Sequence, residues 1–193
     1  MALSTGSKKI KTAVFISGTG SNLKSLIKFS KLKKSPISID MIVSNNPKSK
    51  GLVFGKIYKI RKNIFNFKKL AINEKEILHK LKKNKINLIC LAGFMKILSK
   101  NFILKFKGHI LNIHPSLLPK YKGLNTHERA IKNKDNYSGC TVHFVTSKLD
   151  SGKIIFQKKV KINKKDTPKT LAKKILAQEH KLYPKAILKI FSP

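Results

Sequence analysis

Short apolar runs that each stop at a cluster of glycine or polar residues are the feature that most restricts the fold of this chain. Residues 11–17, with the sequence KTAVFIS, form a nearly continuous apolar run, which is typical of a strand buried on both faces. The run ends in the cluster at residues 18–22, after which Leu23, Leu26 and Ile27 have helical spacing. A strand, a tight turn and a helix in this order predict a βα unit of a parallel sheet.

The same alternation continues along the chain. The apolar runs predict strands at residues 37–43, 86–91, 110–114, 139–145 and 153–162. Spacing and capping signals predict helices at residues 73–83, 124–133 and from Asp166-Thr167-Pro168 to just before Pro193. Alternating strands and helices favour a mainly parallel sheet, whereas the turn at residues 150–152 favours an antiparallel hairpin. We expect one doubly wound α/β domain over residues 1–193, with an antiparallel strand near the C-terminal end and residues 1–9 as a flexible tail.

Size and composition exclude several classes of protein. With 193 residues and 41% hydrophobic side chains, the chain can build a core and is not intrinsically disordered over most of its length. No apolar run approaches the roughly 18 residues of a membrane helix, and residues 1–11 lack the apolar segment of a secretory signal. Two cysteines, Cys90 and Cys140, exclude a disulfide framework or a four-cysteine zinc site. We expect a cytoplasmic protein without a metal.

The chain carries a formal net charge of +35, from 43 basic and 8 acidic residues. Only Arg61 and Arg129 are arginine, so 41 of the basic residues are lysine. Such a charge attracts anions, including nucleic acid and phosphorylated metabolites. However, the lysines are spread from Lys8 to Lys189, and arginine, the usual reader of guanine, is nearly absent. Because Ile and Asn, which share A/T-rich codons with Lys, are also abundant, codon bias explains the charge better than a nucleic-acid-binding face, and we expect nucleic acid to bind only non-specifically.

Three polar clusters fall where predicted strands end, which is the edge at which open α/β sheets bind ligands. The first, at residues 18–22, combines small residues with a helix N-terminus. Its backbone amides can bind a phosphate, or the segment can be a tight turn capped by Ser21 or Asn22. It is neither a Walker motif nor a dinucleotide-binding motif, because Leu23 stands where the last glycine would be.

The second cluster is Asn112 and His114, which are two residues apart on a strand and therefore share a face. An amide beside an imidazole can stabilise and protonate a carbonyl oxygen that becomes an oxyanion, but it can also be an ordinary polar strand end. The third cluster contains Asp150, whose carboxylate would orient the His114 ring if the two lie close. From spacing alone, an ordinary turn residue is the favoured interpretation of Asp150.

Four sequence strings occur in the order found in one known family. They are ISGTGSNL at residues 16–23, LAGFMKILS at 91–99, LNIHPSLLPKYKGL at 111–124, and VHFV at 142–145 with Leu149-Asp150. Together they resemble the phosphoribosylglycinamide formyltransferases, folate-dependent enzymes of purine synthesis, from about Lys11 to the end of the last helix. The resemblance implies a formyltransferase-like variant of the Rossmann fold.

The resemblance also implies roles for individual residues. The catalytic set would be Asn112, His114 and Asp150. The nucleotide substrate would contact Glu179 and bind its phosphate to the backbone amides of Gly20, Ser21 and Asn22. The folate cleft would be lined by Met95, Lys96, Ile97, Leu98, Asn112 and Thr146. Lys174 on the last helix is a further candidate for the phosphate, and residues 67–70, with the sequence FKKL, replace a segment in which the family often has a folate-contacting arginine.

The implied reaction transfers the formyl group of 10-formyltetrahydrofolate, the co-substrate, to the amine of 5-phosphoribosylglycinamide. Its products are formylglycinamide ribonucleotide and tetrahydrofolate. Asn112 and protonated His114 would stabilise the developing oxyanion, and His114 or a water held by Asp150 would move the proton. We expect small-molecule substrates, no membrane partner, and a monomer or a homodimer.

Two rival functions fit parts of the same pattern. A deformylase, or another enzyme that uses formyltetrahydrofolate, shares the Asn-x-His pattern with a later Asp, although its usual additional domain does not fit in 193 residues. A basic nucleic-acid-binding protein on the same scaffold would explain the charge. Such a binder has no need of Asn112, His114 and Asp150.

Overall fold

The computed structural model describes residues 9–65 and 70–192 and contains one seven-stranded sheet. The strands are β1 (Ile10–Ile16), β2 (Ile37–Ser44), β3 (Arg61–Ile64), β4 (Leu88–Leu91), β5 (His109–His114), β6 (Tyr137–Phe144) and β7 (Ile154–Lys161). The helices are α1 (Ser21–Ser30), α2 (Val53–Ile57), α3 (Leu70–Lys83), α4 (Lys100–Lys105), α5 (Thr126–Lys132) and α6 (Pro168–Phe191), with a 3₁₀ turn at Lys50–Leu52.

The strand order in the sheet is β3-β2-β1-β4-β5-β6-β7. The first five strands in this order are parallel, whereas β6 is antiparallel to β5 and β7 is antiparallel to β6. The predicted α/β class, with a mainly parallel doubly wound sheet and an antiparallel C-terminal part, is therefore confirmed. The chain reverses its direction of strand addition between β1 and β4, and such a switch point opens a crevice at the carboxyl ends of the strands.

Every predicted strand and helix is present, with ends shifted by up to three residues. Strand β3 and helices α2 and α4 were not predicted. Strand β3 is a four-residue edge strand with the sequence RKNI and exposed side chains, so it lacks the apolar run that marks a buried strand. Helices α2 and α4 have five and six residues, too few for a helical period to emerge. Of the expected flexible tail, residues 1–8 lie outside the described residues.

Two hydrophobic layers cover the two faces of the sheet. Alternate residues of β1 serve both layers, since Val14 and Ile16 pack into one and Ala13 and Phe15 into the other. The first layer is completed by α1 and α6, and the second by α3 and α4. In the part of the chain that the structure describes, no helix is long and apolar enough to cross a membrane.

Helix α6 is attached to the centre of the sheet through a buried tyrosine. The Tyr183 hydroxyl lies 3.0 Å from the Leu111 carbonyl oxygen and 3.2 Å from that of Leu91, so its O–H is shared between carbonyls of the neighbouring strands β5 and β4. Cys90 lies beside it, and burial raises the pKa of the Cys90 thiol to about 12. At neutral pH this thiol is therefore protonated and acts as a packing group.

We predict that Tyr183→Phe lowers the free energy of unfolding by about 1 kcal/mol, because it removes the donor to two buried carbonyls while preserving the ring. Urea unfolding measures this change. The control is Tyr137→Phe, since Tyr137 is 44% exposed and should unfold as the parent does. Equal losses in the two variants would show that the buried hydroxyl does not stabilise the attachment of α6.

Candidate active site

A cavity of about 1000 Å³ opens at the carboxyl ends of β1, β4 and β5. Its walls come from the loops that follow these strands, from the start of α5 and from α6. The three polar clusters noted in the sequence all reach it: residues 18–22, Asn112 with His114, and Asp150. The parallel strands account for the first two clusters, because the carboxyl ends of β1 and β5 lie at one edge of the sheet. Asp150 reaches the same place from the segment between the antiparallel strands β6 and β7.

The glycine-rich loop presents an uncapped helix N-terminus to the cavity. Gly20 is the N-cap of α1, with a φ of 74°, and no side chain caps the helix. The alternative of a turn capped by Ser21 or Asn22 is therefore wrong. Gly20 packs against a second glycine, since an added Cβ would lie 2.6 Å from the Gly51 Cα. First-turn amides and the helix dipole together favour a bound anion.

Ser17 joins the glycine-rich loop to the loop that follows β4. Its backbone N–H donates to the Gly93 carbonyl at 3.2 Å. Its hydroxyl oxygen accepts from the Met95 backbone N–H at 2.7 Å. The two loops therefore form one continuous wall of the cavity.

Glu179 lies on α6 beside the glycine-rich loop and is only 6% exposed. Its Oε2 accepts from the Asn22 side-chain amide at 2.6 Å. Burial raises the pKa of this carboxyl group, and the hydrogen bond from Asn22 opposes the increase. Asn22 Oδ1 is buried without a hydrogen-bond partner among the described residues, so one polar atom at this position is unsatisfied.

His114 lies between two oxygen acceptors. Its Nε2 is 2.8 Å from the Tyr121 carbonyl oxygen, and its Nδ1 is 3.4 Å from Asp150 Oδ2. Asp150, whose side chain is 8% exposed, also accepts from the Gly123 backbone N–H at 2.8 Å. A doubly protonated His114 would thus have an acceptor for each N–H, which is the geometry of a proton donor held ready for use.

Asn112 stands on the same face of β5 as His114, as the spacing predicted. Its side-chain nitrogen is 3.4 Å from Asp150 Oδ1 and 3.2 Å from His143 Nε2. Asn112, His114 and Asp150 therefore form one cluster. Their catalytic roles remain a prediction. The geometry is consistent with those roles, because the Asn112 amide and the His114 imidazole line the same cavity.

His143 was missed as a site residue. It is directly opposite Asn112 in the β5–β6 pairing. Its Nδ1 lies 2.8 Å from the Phe144 carbonyl, and burial lowers its pKa, so a neutral ring donates from Nδ1 and accepts from Asn112 at Nε2. One N–H of the Asn112 amide is thereby fixed, and the other is directed towards Asp150. The signal that could have found His143 is the antiparallel register of β6 against β5.

His127 at the start of α5 also lines the cavity and was not singled out from the sequence. Burial is the main reason that its pKa is lowered, with a contribution from nearby His114. Its Nδ1 is buried, and no described residue forms a hydrogen bond with it. The ring is a neutral polar group at the cavity wall.

The wall assigned to folate is largely apolar. Met95 and Ile97 are 64% and 66% exposed, and Leu149 stands opposite them at 50%. Lys96 lines the same cavity. Leu98 and Thr146 instead line an adjoining pocket of about 90 Å³, which also reaches Asn112 and Asp150.

The sequence suggested basic groups for the cavity at Lys174 and at residues 67–70, and only Lys174 lies among the described residues. Lys174 binds Asp166 at 2.6 Å and is not among the described residues that line the cavity, whereas Lys169, from the first turn of α6, is. The sequence also pointed to residues 67–70, which replace a segment with a folate-contacting arginine. Of these, residues 67–69 lie outside the described residues. No group of three or more described His, Cys, Asp or Glu residues could hold a metal ion.

Comparison with known proteins gives a consistent result. A sequence profile described as formyl transferase matches residues 10–187. The phosphoribosylglycinamide formyltransferase of Haemophilus influenzae is 42% identical over 180 residues, which cover 92% of this chain and 85% of that protein. The crystal structure of phosphoribosylglycinamide formyltransferase from Brucella melitensis superposes with a TM-score of 0.90 at 40% identity, covering 96% and 97% of the two chains.

Larger proteins match as well. The human trifunctional purine biosynthetic protein adenosine-3 is 42% identical over 183 residues, which cover 93% of this chain but 18% of that protein. The chain thus spans between 13% and 18% of the length of such trifunctional relatives.

We predict that the buried Glu179 makes the protein less stable as the pH rises. A raised pKa means that the folded protein holds its proton above pH 4.5, where the unfolded chain has released it. The free energy of unfolding of the parent, relative to Glu179→Gln, should therefore fall as the pH increases from 4.5 and level off above the folded pKa. Urea unfolding between pH 4 and pH 8 measures this difference.

The control is Glu76→Gln, because Glu76 is exposed and pairs with Lys80 at 2.9 Å. A constant difference between the parent and Glu179→Gln would contradict the assignment.

Proposed function

The chain belongs to the formyl transferase family, and on that premise we propose that it transfers a formyl group from 10-formyltetrahydrofolate to the amine of 5-phosphoribosylglycinamide. The products are formylglycinamide ribonucleotide and tetrahydrofolate, and the reaction belongs to cytoplasmic de novo purine synthesis. One observation carries the proposal: Asn112, His114 and Asp150 form a cluster in a cavity that has an uncapped helix N-terminus on one side and an apolar wall on the other.

The uncapped N-terminus of α1 takes the phosphate of the ribonucleotide. Backbone amides of Gly20, Ser21 and Asn22 suit a phosphate because they are preoriented donors at the positive end of the helix dipole. Lys169 adds a cation on the facing helix. Glu179, held against Asn22, contacts the sugar or the glycinamide of the same substrate.

The apolar wall takes the folate. A cavity of about 1000 Å³ has room for a ribonucleotide beside a folate, and the exposed side chains of Met95 and Ile97 suit the faces of a flat ring system. Lys96 is suited to the carboxylates of folate, and Leu98 and Thr146 complete the adjoining pocket. The residues of this wall therefore fit the co-substrate in both shape and charge.

When bound, 10-formyltetrahydrofolate supplies a formyl carbon to which the amine forms a new C–N bond while the bond to the folate nitrogen breaks. The residues of this chain stabilise that exchange in two ways. When substrate binds, Asn112 turns the N–H that faces Asp150, and His114 the N–H that faces the Tyr121 carbonyl, towards the formyl oxygen, and both donate to it as negative charge develops. His114, held by Asp150, gives and takes the proton that moves from the amine to the departing nitrogen.

Neither rival function has a comparable observation in its favour. A deformylase needs the folate wall and the catalytic cluster, but it does not need a phosphate site joined to that wall through Ser17. A nucleic-acid-binding protein would not need a buried carboxylate beside two histidines. The difference between the transferase and the deformylase is whether turnover requires the ribonucleotide.

We predict that His114→Ala lowers kcat of ribonucleotide-dependent formyl transfer by about a hundred- to ten-thousandfold, because the proton donor is lost. The assay follows tetrahydrofolate formation with and without glycinamide ribonucleotide. The control is His109→Ala on the same strand, since the His109 ring packs on Phe144 and Phe191 outside the cavity and its loss should leave kcat unchanged. Folate turnover without the ribonucleotide would support a deformylase, and absence of both reactions in the parent would refute the proposal.

We also predict that Gly20→Ala raises KM for the ribonucleotide by about tenfold or more, since the added Cβ strains the positive φ and displaces the phosphate loop. The KM for the folate should change by less than about twofold. Steady-state kinetics with each substrate varied in turn measures both constants. An equal increase in both would place the phosphate elsewhere in the cavity.

A further inference from the structure

A single peptide group lies between one of the two arginines and the Asp150 carboxylate. The Lys122 carbonyl oxygen accepts from Arg129 Nη1 at 2.7 Å. The N–H of the same peptide group, which belongs to Gly123, donates to Asp150 Oδ2 at 2.8 Å. The next residue back, Tyr121, supplies the carbonyl oxygen that faces His114 Nε2 at 2.8 Å.

Three consecutive residues, 121–123, therefore hold both members of the His114–Asp150 pair through their backbone. Arg129 holds these residues in turn. Its guanidinium lies over the Tyr121 ring, 5.0 Å from the ring centroid, and also reaches the Leu124 carbonyl at 3.4 Å. The Tyr121 hydroxyl donates to Asp135 Oδ2 at 2.8 Å, which fixes the other end of the same ring.

We propose that Arg129 is a positioning residue for the proposed formyl transfer, acting on Asp150 through the Lys122–Gly123 peptide group and on His114 through Tyr121. This role rests on the proposed function of the site. A cation that donates to a peptide carbonyl polarises the whole group and strengthens the hydrogen bond donated by its N–H. Asp150 is then held by a charge-assisted chain of hydrogen bonds, although Arg129 itself does not touch it.

The geometry explains why an arginine stands at this position. The guanidinium is planar and can stack on Tyr121 while its N–H groups reach two different carbonyls, whereas an ammonium cannot do both. In a chain with 41 lysines and two arginines, a lysine would be the ordinary basic residue. Arg129 has no carboxylate partner within ion-pair distance among the described residues, so its hydrogen bonds go to the loop.

The test compares Arg129→Met, Arg129→Lys and the control Arg61→Met. Arg61 is the other arginine, lies on edge strand β3 and bonds to Asn84, away from the cavity. The His114 ring resonances, assigned by their loss in His114→Ala, are followed by ¹H–¹⁵N NMR of the full chain without substrates. The kinetic constants kcat and KM for both substrates are measured for each folded variant.

In Arg129→Met we expect shifted His114 ring resonances and a kcat lowered about ten- to a hundredfold, with both KM values within about twofold of the parent. Arg129→Lys should lie between Arg129→Met and the parent, because an ammonium can donate to the Lys122 carbonyl but does not stack on Tyr121. Arg61→Met should match the parent. If Arg129→Met fails to fold, Arg129→Lys decides the question by the same two readouts.

A folded Arg129 variant with unchanged His114 resonances would overturn the proposal, whatever its kcat, because the residue would not act through the loop. Unchanged kcat with shifted resonances would also overturn it. If the parent itself shows no formyl transfer, the proposed function fails. The resonances then decide alone whether Arg129 positions His114.

Discussion

The Asp150 carboxylate is the group on which the candidate site depends. It lies within 3.4 Å of His114 Nδ1 and of the Asn112 amide, and 3.7 Å from His143 Nε2. Through His114, Asn112 and the Gly123 N–H it joins β5 and the loop at residues 115–125 to its own turn. Asp150 adopts a φ of 45°, which is uncommon for a non-glycine residue. A carboxylate that is buried, nearly surrounded by donors and held at such a backbone position fixes the relative orientation of the imidazole and the amide, which the proposed formyl transfer would use.

The sheet topology places two different binding surfaces on either side of this carboxylate. The loops after β1 and β4 lie on the two sides of the switch point, and Ser17 binds the second loop through Gly93 and Met95. One loop offers amides at a helix N-terminus, which suit an anion, and the other offers apolar side chains, which suit a ring. A donor and an acceptor of a formyl group can thus bind side by side, with their reacting atoms near the cluster between them. The antiparallel strand β6 closes the arrangement, because its pairing with β5 brings His143 opposite Asn112.

Much of this could be predicted from the sequence, and the rest depended on contacts that local patterns do not contain. The apolar runs predicted every buried strand, whereas edge strand β3 has no buried face to leave a pattern. The spacing of Asn112 and His114 placed both on one face because the strand period is two. The role of Asp150 was ambiguous until the family resemblance was considered. Asp150 is 36 positions after His114 in the sequence, and a turn residue does not reveal which distant residue it contacts. His143 and Arg129 were not foreseen, because one acts through strand register and the other through a backbone carbonyl.

The acidic residues of this chain are more informative than its lysines. Lysines are numerous and spread over the whole sequence, so their positions distinguish no surface. The eight acids are few, and most of them have specific partners.

The partners of the acids outside the cavity are local. Buried Glu74 accepts from the Ser99 backbone N–H at 2.7 Å and so holds the start of α4. Asp135 accepts from the Tyr121 hydroxyl. Asp166 accepts from Thr170 at 3.0 Å at the start of α6. Glu179 and Asp150 lie in the cavity. In a strongly basic chain each carboxylate lies in a positive field, so its location is decided by local hydrogen bonds. Under the proposed function, the two in the cavity would mark its nucleotide side and its reaction centre.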